Sequence, residues 1–141
     1  MGHAARVERL VDAPPDRVWR ALTSDELTAW YWPARFETDA LVEAWPGGRL
    51  RIASAPMDMG VSGVVTDAAA PERLACTWRW DGEALETQVS IALARVDEGT
   101  EVAVIHDGFP TSDGARDHEQ GWGDCLDRLV LHLDRLGRAR D

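Results

Sequence analysis

Thr100-Glu101-Val102-Ala103-Val104-Ile105-His106-Asp107-Gly108-Phe109-Pro110 and, after a polar stretch, Gly121-Trp122-Gly123-Asp124-Cys125-Leu126-Asp127-Arg128-Leu129-Val130-Leu131-His132-Leu133-Asp134-Arg135-Leu136 decide the fold. In the first segment, alternation places Thr100, Val102, Val104 and His106 on one face of a strand that ends at Asp107-Gly108. In the second, Trp122, Cys125, Leu126, Leu129, Val130, Leu133 and Leu136 recur at three- and four-residue spacing. They form one apolar stripe along a helix of about four turns. A last strand followed by a long helix with one apolar face must pack that face on the sheet it has just left.

Working back towards the start, Ala5 to Val11 reads as a strand closed by Asp12-Ala13-Pro14-Pro15. Pro15 suits the first turn of a helix through Leu22, with Val18, Trp19 and Leu22 as its buried stripe. Thr23 or Ser24 caps a second short helix that carries Leu27 and Trp30 before Pro33 stops it. From Phe36 to Ile105 the pattern is strand and turn. Ala34–Ala44 is weakly patterned, and Pro46-Gly47-Gly48 turns into Arg49-Leu50-Arg51-Ile52. Gly60–Asp67 follows, and then Leu74–Trp80, where Leu74, Cys76, Trp78 and Trp80 share a face. Asp81-Gly82 marks a hairpin into Glu86–Val96, which Asp97-Glu98-Gly99 joins to the last strand. Strands in succession at hairpin spacing predict an antiparallel sheet.

The 141 residues, 45% of them hydrophobic, predict a single domain over 1–141 with one core. No apolar run approaches the ~18 residues of a membrane span and no signal segment opens the chain, so a soluble cytoplasmic protein is expected. A net charge of −10 argues against nucleic acid and anionic membrane surfaces as partners. All fifteen basic residues are Arg, which excludes Schiff-base catalysis by a protein lysine. Cys76 and Cys125 sit mid-strand and mid-helix in apolar patterns and read as reduced core residues.

These words, in this order, resemble a known family. The matching residues are Ala13-Pro14-Pro15-Asp16-Arg17-Val18-Trp19-Arg20-Ala21-Leu22-Thr23, Trp30, Pro46-Gly47-Gly48-Arg49-Leu50-Arg51, Gly60–Val65, Pro71-Glu72-Arg73-Leu74 through Trp78, His106-Asp107-Gly108, and Gly121-Trp122 with Leu126 and Leu129. The chain is identified as a member of the SRPBCC or START-like (Bet v 1-like) superfamily, similar to its bacterial branch related to the activator of the heat shock protein 90 ATPase. That resemblance implies an α+β helix-grip fold. Its curved antiparallel sheet of about six to seven strands wraps the C-terminal helix, with two short helices after the first strand and a cavity between helix and sheet. The family's eukaryotic co-chaperone carries a further N-terminal domain whose motif needs an Asn, and this sequence has none.

Seven Trp against two Phe and one Tyr provide the apolar surface such a cavity needs. Trp78 and Trp80 are expected to point inward from the sheet, Trp122 from the helix, and Trp30 and Trp32 from the elbow between the short helices. Each equally suits a plain core position. Val104, His106, Phe109, Leu126 and Leu129 complete the expected lining. Trp32 and Trp45 suit the mouth, and Met57 and Met59 a rim or simple packing under their loop. His106, inward on an apolar strand face, has two readings: an imidazole that orients a ligand or moves a proton, or a core histidine bonded to its neighbours. A partner carboxylate for acid–base chemistry would come from Glu86, Asp39 or Glu43. His118-Glu119 with His106 or Asp107 falls short of a zinc ligand set, and neither a metal nor a cofactor is expected. No nucleophile motif or phosphate-binding glycine loop is present.

The expected function is therefore binding of a small hydrophobic or aromatic molecule. The alternatives are a co-chaperone whose partner is the chaperone, and a cyclase- or hydrolase-type enzyme using the same cavity. A homodimer is left open.

Overall fold

A computed structural model describes residues 2–140. Seven strands form one antiparallel sheet: β1 (His3–Val11), β2 (Asp39–Val42), β3 (Arg49–Ser54), β4 (Met59–Ala69), β5 (Arg73–Trp80), β6 (Thr87–Val96) and β7 (Gly99–Phe109). Their spatial order is β1-β7-β6-β5-β4-β3-β2. Only β1 is out of sequence, and three helical pieces separate it from β2. Helix α1 (Pro15–Thr23) and a 3-10 turn at Asp25–Ala29 make an elbow, and a second 3-10 turn covers Ala34–Phe36. Helix α2 (Ser112–Arg140) lies on the concave face of the curved sheet, giving the α+β helix-grip architecture.

The inner face of the sheet follows from alternation and register. Ala5, His106, Val89, Cys76 and Val65 pair in one row across β1, β7, β6, β5 and β4, and all five are buried. Strand β7 does not stop at Asp107-Gly108 but runs on to Phe109. Gly108 takes φ 96° and stands as the extra residue where the β1–β7 register shifts. That bulge restores the inward alternation, so both His106 and Phe109 face the core.

Four expectations are corrected. The polar stretch before Trp122 is helix, because α2 begins at Ser112 and spans 29 residues. Gly114, Gly121 and Gly123 weaken local helix propensity there, and packing against the sheet overrides it. The second short helix is a 3-10 turn, with the Ser24 hydroxyl accepting from the Glu26 N–H at 3.2 Å. Leu136 lies beyond the sheet's cover and is 37% exposed, so the buried stripe of α2 ends at Leu133. On α1 the buried residues are Pro15, Val18, Ala21 and Leu22, with Trp19 only half-buried.

The elbow is pinned from both sides. Trp30 is buried and its indole N–H donates to the Ala21 carbonyl at 3.0 Å. From α2, Arg128 donates through Nη2 to the Tyr31 carbonyl at 2.7 Å and through Nε to the Trp30 carbonyl at 3.1 Å. Glu26 receives a two-pronged bond from Arg17, at 3.0 and 2.7 Å, and lies 2.7 Å from His132 Nε2. Burial by itself raises the Glu26 pKa, but the hydrogen bonds and charges of Arg17 and His132 together hold it below the usual carboxylate value.

Candidate functional site

Between the elbow, the end of β5 and the first half of α2 lies a cavity of about 540 Å³. The elbow supplies Tyr31, Trp32, Pro33 and Phe36; the sheet supplies Met59, Trp78 and Trp80. Helix α2 supplies His118, Gly121, Trp122 and Cys125. Irregular backbone at Tyr31–Phe36 brings rings there that no period could place. Tyr31 sits edge-on to Trp122 with centroids 5.8 Å apart, and Trp32 lies nearly parallel to Trp80 at 6.4 Å. A Cβ added to Gly121 would meet no atom within 4 Å, so this glycine leaves space on the cavity side of the helix.

Two Trp–His pairs order the polar atoms. The Trp122 indole N–H donates to His106 Nδ1 at 3.0 Å, and an indole nitrogen only donates. His106 therefore carries its proton on Nε2, which donates to Thr87 Oγ1 at 2.6 Å, and Thr87 donates on to the Trp78 carbonyl at 3.2 Å. His106 is 0% exposed. Burial, with a smaller contribution from neighbouring His118, pushes its pKa down to about 3 and keeps it neutral. In the second pair, Trp80 Nε1 donates to His118 Nε2 at 3.0 Å and His118 Nδ1 donates to the Gly114 carbonyl at 2.8 Å, one turn back in α2. His118 is half-buried and faces the cavity. No carboxylate bonds either imidazole among the described residues. Trp78 differs from both partners: its Nε1 is buried without a hydrogen-bond partner among the described residues.

The rim is charged. Glu83, Asp117 and Asp124 line the mouth, all exposed and with no ion-pair partner among the described residues. Asp117, Gly121, Asp124 and Arg128 recur at helical spacing, so α2 presents one stripe to the opening. Arg128 turns Nε and Nη2 to the elbow carbonyls, and Nη2 also lies 3.4 Å from Cys125 Sγ. Burial pushes the Cys125 thiol up to about 11 and the Cys76 thiol up to about 12, so neither is a thiolate nucleophile near neutral pH. Tyr31, fully enclosed, is raised well above its usual 10 by burial first and the adjacent Cys125 second. Among the described residues no group of three His, Cys, Asp or Glu side chains is placed to hold a metal ion.

Of the residues singled out from the sequence, Trp32, Trp78, Trp80 and Trp122 line the cavity together. His106 and Phe109 pack behind it, their rings 4.6 Å apart, and both touch His118. Trp30, Val104, Leu126 and Leu129 are buried in the core and do not line the cavity. Trp45 is 57% exposed and away from the mouth, and Met57 is exposed while Met59 reaches the wall. Sequence reasoning missed Tyr31, Phe36, His118 as a wall residue, Gly121, Arg128 and the acidic rim. Extending the α2 period backwards from Cys125 through Trp122 to His118 and Ala115 is the signal that finds His118.

The comparisons agree with this architecture. The family model described as activator of Hsp90 ATPase homolog 1-like protein matches residues 12–134. A structure from Rhodobacter sphaeroides is similar at 27% identity with a TM-score of 0.79, covering 96% of this chain and 99% of its own. A structure from Chromobacterium violaceum is similar at 25% and 0.78, covering 91% and 95%. DynU16, a protein in the dynemicin biosynthetic locus, is similar at 25% and 0.79; the match covers 93% of this chain but 47% of that one. No curated protein matches the chain. Among the described residues no helix is long and apolar enough to cross a membrane.

Proposed function

The chain belongs to the activator of Hsp90 ATPase homolog 1-like family, and from that premise we propose that it binds a small hydrophobic or aromatic molecule in the cavity between elbow, β5 and α2. The observation that carries this reading is an open cleft of about 540 Å³ lined by the rings of Tyr31, Trp32, Phe36, Trp78, Trp80 and Trp122. A volume in that range suits a small ligand, and apolar walls with a few fixed polar groups are what such ligands meet in known sites. Binding without catalysis fits the polar atoms best. Both nitrogens of His106 and of His118 already hold hydrogen bonds, so neither imidazole has a free position for proton transfer. A cyclase- or hydrolase-type reaction would need one of those bonds to break.

Native mass spectrometry of freshly purified protein, followed by denaturing extraction, tests the reading. A retained small-molecule mass supports it. A protein that arrives empty and takes up no member of a panel of aromatic hydrophobes contradicts it. The family's description favours a second reading, activation of the heat shock protein 90 ATPase. Stimulation of that ATPase by the purified chain would support the co-chaperone role, and its absence would remove it.

A further inference from the structure

We propose that the cavity selects a positively charged ligand: an apolar or aromatic molecule bearing an amine or quaternary ammonium. This inference rests on the reading of the cavity as a ligand site and adds the ligand's charge. The walls and the rim point the same way. Six aromatic rings, four of them indoles, line the open cleft. Indole faces attract cations through their quadrupole, and the attraction strengthens as water is excluded. At the mouth stand Glu83, Asp117 and Asp124, three carboxylates with no ion-pair partner among the described residues.

Among the described residues the one arginine in the lining, Arg128, is held by Nε and Nη2 against the carbonyls of Trp30 and Tyr31 and by Nη2 against Cys125. His118, the other basic group there, donates to Gly114 through Nδ1 and accepts from Trp80 at Nε2. The formal charge of the lining is therefore three negative against one positive, in a protein whose net charge is −10. A cation is drawn in by the overall field and meets aromatic rings inside. A carboxylate ligand would have to pass three like charges to reach one engaged guanidinium.

Matched probes test this. (1-Naphthylmethyl)trimethylammonium, its neutral carbon isostere 1-neopentylnaphthalene, and 1-naphthylacetate share an aromatic body and differ in charge. Calorimetric titration of the wild type should show the cation binding about tenfold more tightly than the neutral isostere, with the anion weakest. The cation's advantage should shrink between about 0.05 M and about 0.5 M salt, because the rim carboxylates are exposed. It should also shrink in the triple variant Glu83→Gln, Asp117→Asn, Asp124→Asn, whose sites lie on the surface. Equal affinity for cation and neutral isostere, or preference for the anion, would overturn the charge selection while leaving the cavity reading standing; the latter result would assign Arg128 as the anchor. Failure of all three probes to bind would overturn both.

Discussion

Two Trp–His pairs lie side by side in this protein, and their fates differ. In the inner pair, Trp122 shows one side to the cavity while its indole N–H reaches back to the fully buried His106, and the hydrogen-bond chain continues through Thr87 to a backbone carbonyl. In the outer pair, Trp80 and His118 stand on the wall of a cavity, and the chain ends after one helical turn at Gly114. The same donor fixes opposite tautomers, Nε2–H inside and Nδ1–H outside. The inner pair is a piece of architecture with a protonation cost; the outer pair is a surface against which a ligand can rest. A histidine's neighbours, more than its position in a motif, decide which it is.

The comparison can be broken most severely at its inner member. Trp122→Ala should cost about 3–5 kcal/mol, since the ring is 5% exposed and its loss leaves His106 Nδ1 without a donor. Chemical denaturation reads this directly, and a loss below about 1 kcal/mol would mean the site collapses freely. The next effect is on pH dependence. Unfolded, His106 takes a proton near its usual 6.5; folded, it resists to about 3. The folded state thus binds fewer protons in that window. Stability is fully present above about pH 6.5 and falls as pH drops towards 3, by up to about 1.4 kcal/mol per unit. Replacing His106 with Gln should flatten that slope, and an unchanged slope would place the titration elsewhere, at Glu26 for instance, whose lowered pKa acts only below its usual 4.5.

The outer member should respond in binding and hardly in folding. His118→Ala removes a half-buried ring with two hydrogen bonds, from Trp80 and to Gly114, so stability should drop by about 1 kcal/mol while affinity for an aromatic probe falls several-fold. A large stability loss with unchanged affinity would move His118 to the inner class. The smallest expected change in stability comes from Gly121→Leu. The new side chain enters open space and the helix loses an interior glycine, a gain of about 0.5–1 kcal/mol, yet the cavity is filled.

How much of this was legible follows the same division. Strand alternation placed Trp78, Trp80 and His106 on the inner face, and helical spacing placed Trp122, because regular elements carry a period. Phe109 lies past the end that Asp107-Gly108 marks in the sequence, since the Gly108 bulge that returns it inward breaks the alternation. The elbow wall at Tyr31 and Phe36 has no period to read: 3-10 turns and bends orient it, and bonds from Arg128, about a hundred residues away, hold it. Asp117 and Asp124 carry no signal of a cavity in the sequence, since exposed carboxylates on a helix are the common case. Only the position of α2 against β5 and the elbow turns Asp117 and Asp124 towards a cavity.

The most direct test of the account is a titration of N-phenyl-1-naphthylamine, a neutral aromatic fluorophore, into the wild type and Gly121→Leu, with melting temperatures taken on the same samples. The account predicts saturable one-to-one binding to the wild type, at least about tenfold weaker in the variant (a loss of roughly 1.4 kcal/mol or more), with a melting temperature equal or higher. Equal binding to both proteins, or none to the wild type, would contradict it.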